Sequence, residues 1–246
     1  MQTCKPRLFL RLFLGKAVGW CGGVARRRPH IRAAAFILYK VSIFKRRYYS
    51  VRQLRRAGVK VVGREVFVER GARGAAGAAL YSPCYISGPA DVQTGATLLP
   101  GCVIDGAKIG AGSVLGPFCN VRANCAIGKG CRVGDFVELK CAVLGDGCKA
   151  AHLSYIGDAE LGKNVNIGCG VVFANYDGKV KSRTYVGDNA FIGCNSNIIA
   201  PAHIGAGAYV AACTNLSGEV AEKSFAISRA ALHIKPRGAE GRYLND

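Results

Sequence analysis

The sequence predicts an all-β solenoid, a three-sided prism of stacked parallel coils, and three observations predict it. Aliphatic residues recur every six positions over most of the stretch from Leu80 to Leu216. A small residue stands four positions after an aliphatic one, as at Cys84, Ala90, Ala96 and Cys102. Glycine often follows the aliphatic directly, as at Gly110, Gly116, Gly128 and Gly134. Six is not a helical period, which needs spacings of three and four. It suits strand alternation only if the chain turns a corner every hexapeptide, and glycine eases such corners. Three hexapeptides close a coil of about 18 residues, and coils stack at about 4.8 Å through parallel pairing. Residues 80–221 then make about eight coils, a prism about 35–40 Å long.

The elements divide the chain into a basic segment over 1–75, the solenoid over 76–229 and a tail over 230–246. Of the 34 Lys+Arg in the 246 residues, 18 lie in residues 1–70, against two acids there, Glu65 and Glu69. The formal charge of +19 therefore describes the head, and the body is near neutral. The first segment is short, basic and expected to be helical. Leu8–Ala25 is apolar but interrupted by Arg11 and Lys16, too short and too charged to span a membrane. A basic anchor on anionic lipid, an Arg-rich and acid-poor transit peptide and a segment without selected structure all remain open. Tyr48 and Tyr49 among the cations do not suffice for a nucleic-acid site, so none is expected.

The solenoid's register runs Leu80, Ile86, Val92, Leu98, Ile104, then steps by five to Ile109. Sixes continue to Leu139, five-residue steps bring Leu144 and Leu161, and the series reaches Phe173. Cys84, Cys102, Cys119, Cys125, Cys131 and Cys148 occupy the small slot that Ala or Ser fills elsewhere. They read as reduced packing residues in an intracellular setting rather than as disulfides. After Phe173 the register lapses for thirteen residues and resumes at Val186. The interval from Ala174 to Tyr185 is polar and basic, and an insertion in a solenoid loops out, often on the binding face.

Within the coils, chemistry concentrates around His152, where Ala150 has replaced the expected aliphatic residue. Arg122 and Lys140 lie 18 residues apart, one coil, with Tyr155 and Asn166 on following coils. Stacked cations with no acid between them repel unless they share an anion, which a phosphate ligand supplies. A structural ion pair with Glu138 is the plainer reading. A metal centre is not expected: His152 and His203 lie about three coils apart with no third histidine in register.

From Gly116-Pro117-Phe118 to Arg229 the chain resembles the acetyltransferase half of the bacterial bifunctional N-acetylglucosamine-1-phosphate uridyltransferase/glucosamine-1-phosphate N-acetyltransferase family. The blocks GDFVELKCAVLGDGCKAAHLSYIGDAELGKNVNIGCG, FANYDGKVKSRTYVGD and FAISRA carry the likeness. It implies a left-handed parallel β-helix, a homotrimer with active sites between subunits, and acetyl-CoA as donor. It implies His152 as general base, and Arg122, Lys140, Tyr155, Asn166 and Lys181 around glucosamine 1-phosphate. Cys169, Asn175, Tyr176, Cys194, Ala212 and Arg229 fall on acetyl-CoA contacts. Cys169 stands where the family has Ala and Cys194 where it has Ser, and a thiol is the poorer donor. The family's nucleotide-binding half has no counterpart in these residues. The expectation is therefore acetylation without uridylation, with a separate uridyltransferase completing UDP-N-acetylglucosamine, in the cytoplasm unless the basic segment directs otherwise. Another amino or hydroxyl sugar as acceptor, or a weakly active trimeric scaffold, are the alternatives.

Overall fold

A computed structural model describes residues 47–229, so most of the basic segment and the tail from 230 lie outside the described residues. The described residues form a parallel β-solenoid whose strands pair coil on coil without exception in the coil stack. One face is a 10-stranded sheet from Lys60–Val62 to Phe225–Ala226. The nine intervals between those strands make a stack about 43 Å long. The second face begins at Val66–Val68 and the third at Arg73–Gly74. These two join near the far end, where Asn197–Ile204 runs unbroken round their shared corner.

The aliphatic series falls where the period of six requires. Leu80, Leu98 and Leu115 stack on the first face, Ile86 and Ile104 on the second, and Val92 and Ile109 on the third. All are buried, as are the six cysteines of the small slot. Those thiols are free and buried, and burial pushes Cys84 up to about 12, while thiol–thiol hydrogen bonds with Cys119 and Cys148 hold Cys102 and Cys131 below the usual thiol range. Ser113 and Ser196 share the slot by passing their hydroxyl protons to the carbonyls of Gly128 and Ala211, 2.8 and 3.1 Å away.

The coils start at Lys60, ahead of the boundary expected at 76. Two departures hide the first coil from periodicity: Gly74 occupies a slot that Val92 fills one coil later, and seven residues separate the buried Val61 and Val68. Before it, helix α1 (Val51–Arg56) caps the end of the stack. Ser50 and Gln53 form its capping box, and Leu54 is its buried anchor.

The three shortened steps, Ile104 to Ile109, Leu139 to Leu144 and Ile156 to Leu161, share a location. Each lies at the corner between second and third faces, and so does the long interval from Phe173 to Val186. The insertion is a small hairpin. Tyr176 and Lys181 bridge antiparallel across it, and Asp177 accepts from the N–H groups of Lys179 and Val180 at its tip.

Candidate active site

Two groups of polar side chains flank the second face. At the corner where the first face gives way to the second, His152 Nδ1 lies 2.7 Å from Asp135 Oδ1. Strand register places the two one coil apart. Asp135 is held below the usual carboxylate range by that hydrogen bond. With Nδ1–H donated to the carboxylate, His152 presents Nε2 outward as a lone-pair acceptor, and the residue is well exposed.

The same register stacks Cys169 above His152, Cys194 above Cys169 and Ala212 above Cys194. Both thiols are exposed, and the column ends where Arg229 donates to the Ala212 carbonyl. Five of the residues expected at the base and the donor thus share one column. The Ser154 hydroxyl takes the His152 carbonyl at 2.8 Å, and the Gly170 N–H bonds to Leu153 instead. Gly134 permits the close approach of this coil, since a Cβ there would sit 1.7 Å from the Ala151 carbonyl oxygen.

Beside this column runs a second one, of residues in the left-handed region. Phe118, Phe136 and Leu153 have φ of 53°, 54° and 38° and are exposed. The two phenyl rings lie parallel at 5.7 Å. Left-handed geometry costs a residue other than glycine about 1–2 kcal/mol.

Across the second face, at its corner with the third, the other group centres on Asp158. Its carboxylate accepts from Lys140 Nζ at 3.2 Å and from the Asn175 amide, tying the hairpin to the coil beneath it. Partial burial works against this carboxylate, but the bonds from Asn175 and Lys140 and the nearby Lys181 hold it below its usual range. Burial likewise works against the Lys140 ammonium, and Asp158 more than offsets it. The Tyr155 phenol reaches along the face into this group over Gly157, where any Cβ would meet its oxygen at 2.6 Å. Tyr176 closes the hairpin through its hydroxyl to Gly178, 2.6 Å.

Two expectations are corrected here. Arg122 and Lys140 do stack one coil apart, yet neither lacks an acid: Arg122 pairs with Glu138 at 3.1 Å and Lys140 with Asp158 at 3.2 Å. The reason is register, because Asp158 occupies the left-handed corner directly after Gly157, which lies over Lys140. Glu138 serves Arg122 and not Lys140. Asn166 lies on the first face between Lys149 and Phe191, apart from Lys140 and Tyr155 within one protomer. Asp135 and Asp158 went unremarked in the sequence, although counting one coil back from His152 and one forward from Lys140 leads to them. Among the described residues no group of three His, Cys, Asp or Glu could hold a metal ion. Nor is any described helix long and apolar enough to cross a membrane.

Comparison with known proteins agrees with this architecture. Residues 106–141 and 183–218 match the family described as bacterial transferase hexapeptide (six repeats). The chain is 55% identical over 121 residues to the bifunctional protein GlmU of Acetivibrio thermocellus, covering 49% of this chain and 26% of that protein. It is 42% identical over 166 residues to the GlmU of Clostridium botulinum, covering 61% and 36%. It thus spans about a quarter to a third of the length of these relatives. The acetyltransferase domain of PglB from Neisseria gonorrhoeae superposes with a TM-score of 0.32 at 18% identity, over 59% of this chain and 55% of that one. A likeness of that degree carries no functional inference.

Proposed function

We propose that this chain, a hexapeptide-repeat transferase homologous to the GlmU proteins, transfers the acetyl group of acetyl-CoA to the amine of glucosamine 1-phosphate. The observation that supports this most directly is the His152–Asp135 pair at the foot of the column formed by Cys169, Cys194 and Ala212. In the proposed reaction the sugar amine attacks the thioester carbonyl. The N–C bond forms as the C–S bond breaks, His152 Nε2 takes the amine proton, and the leaving coenzyme A thiolate is protonated. Asp135 fixes the tautomer and steadies the imidazolium. The Cys169 N–H, adjacent to His152, is the proposed donor to the oxyanion. Lys140, Lys181, Tyr155 and Arg122 receive the phosphate. The two lysines around one carboxylate leave a surplus positive charge for it.

The site reads as shared between copies. Asn175 and Tyr176 at one corner and Cys169 and Cys194 at the other are all proposed to touch one acetyl-CoA. The strand between the corners, from 152 to 158, spans up to about 20 Å. A neighbouring copy laid against the column would bring its own hairpin to the first copy's Cys169 and Cys194, and its coils to Asn166. Phe118, Phe136 and Leu153 beside that column give such a copy an apolar seat. That the assembly is a trimer rests on the family resemblance.

A second reading has one observation in its favour. Since Arg122 and Lys140 are already matched by Glu138 and Asp158, an amino sugar without phosphate is a competing acceptor. Thiol release from acetyl-CoA by the full chain, with glucosamine 1-phosphate and glucosamine in parallel, separates the two. Release with the phosphate ester alone is the expected result. Equal release with glucosamine moves the assignment to the second reading, and no release with either sinks both.

A further inference from the structure

The far ends of the solenoid differ in charge, and the difference points to a surface. Helix α1 and the first coil expose Arg52, Arg55, Arg56, Lys60 and Arg64, and none of these forms an ion pair among the described residues. The first acid in the chain is Glu65. The opposite end exposes Glu219 and Glu222 together with Lys223 and Arg229, two charges of each sign. We propose that the capped end of the solenoid docks on an anionic bilayer, with the stack standing away from the membrane.

Edge protection is the plainer reading, because charged side chains on an outer strand prevent coil-to-coil aggregation. That role is met by either sign, whereas residues 1–64 hold 17 Lys/Arg and no acid at all. The sequence that precedes helix α1 also decides between a bilayer and a nucleic acid. Residues 1–46 interleave 11 cations with Leu8, Phe9, Leu12, Phe13 and Trp20. Cations alone suffice for phosphate backbones, while aliphatic and aromatic side chains gain from an acyl boundary. Each Lys or Arg near an anionic leaflet strengthens binding about fivefold. His152 lies five coils from the first strand, about 24 Å, several Debye lengths at physiological salt. Charge changes at the capped end should therefore leave acetyl transfer untouched, which keeps this proposal separable from the one above.

The test is co-sedimentation of the full chain with vesicles of phosphatidylcholine alone or with about 30% phosphatidylserine. Binding to the anionic vesicles, abolished at about 0.5 M salt, is expected. The Arg52→Gln, Arg56→Gln, Lys60→Gln, Arg64→Gln variant should partition at least about 30-fold less. Its near-native circular dichroism shows that it folds, and the salt response of the unaltered chain stands without it. Equal binding to neutral vesicles, an unchanged variant, or tighter binding to single-stranded RNA than to the anionic vesicles each overturns the proposal.

Discussion

Asp158→Asn tests the second polar group most sharply, because it removes one charge and little else. Lys140 Nζ sits 3.2 Å from the carboxylate, with both side chains less than a fifth exposed. At an effective dielectric constant near 20 two unit charges about 4 Å apart attract by about 4 kcal/mol. Desolvation and ordering reduce the net worth of a charged hydrogen bond to about 1.5–3 kcal/mol. Asn keeps an acceptor oxygen for one of the two donors, so the expected loss of stability is about 1–2 kcal/mol, read as a lower denaturant midpoint with unchanged m. The kinetic consequence divides. The hairpin loses the bond that fixes Asn175, so KM for acetyl-CoA should rise about tenfold. Lys140 and Lys181 lose the anion they share, so KM for glucosamine 1-phosphate should hold or fall. Steady-state rates with each substrate varied in turn measure both. A rise in the sugar-phosphate KM with the acetyl-CoA KM unchanged refutes the reasoning, because it would make Asp158 a support for the phosphate site rather than for the hairpin.

His152→Ala should lower the rate of acetyl transfer about 10²–10⁴-fold with little change in KM, and Asp135→Asn about tenfold while shifting the acid limb of the pH–rate profile. Gly134→Ala drives a Cβ against the Ala151 carbonyl. It should cost more than about 3 kcal/mol, seen as a large fall in the denaturation midpoint. In the native protein an alkylating reagent should label Cys169, Cys194 and Cys213 while sparing Cys84, Cys102 and Cys119, and saturating acetyl-CoA should shield Cys169 and Cys194; mass mapping of the labelled peptides reads both. Asp158 is depressed in the fold, so its contribution is complete above the unfolded carboxylate range near 3.9 and is lost as pH falls through its lower native value. Stability should therefore fall as pH drops below about 4, and Asp158→Asn should lessen that fall, read as the denaturant midpoint against pH.

Most of the solenoid was legible because its signal is redundant: every coil repeats one aliphatic residue and one small residue per face. Where the repeat loses a member, legibility fails, and Gly74 in an aliphatic slot moved the expected boundary past the first coil. The proposed donor role of the column rests on a likeness alone, since nothing in the spacing of Cys169, Cys194 and Ala212 distinguishes them from other corner residues. The ion pairs show the opposite failure. Counting by eighteens put Arg122 over Lys140 correctly, but coils here are 17 or 18 residues long, and a one-residue shortening decides which acid meets which cation. Asp158 is brought to Lys140 by such a corner, and only side-chain placement reveals it.

All departures from the six-residue step after Leu80 gather at a single edge of the prism, the one from which the hairpin springs. The other two edges keep strict time. Length can therefore vary along that edge without disturbing the stack, as stitches can be dropped at a selvedge while the cloth holds. A hairpin of different length or composition grafted between Phe173 and Val186 should leave the coils intact, which makes the hairpin's proposed share of the site, Lys181 with Asn175 and Tyr176, exchangeable while the histidine column stays fixed.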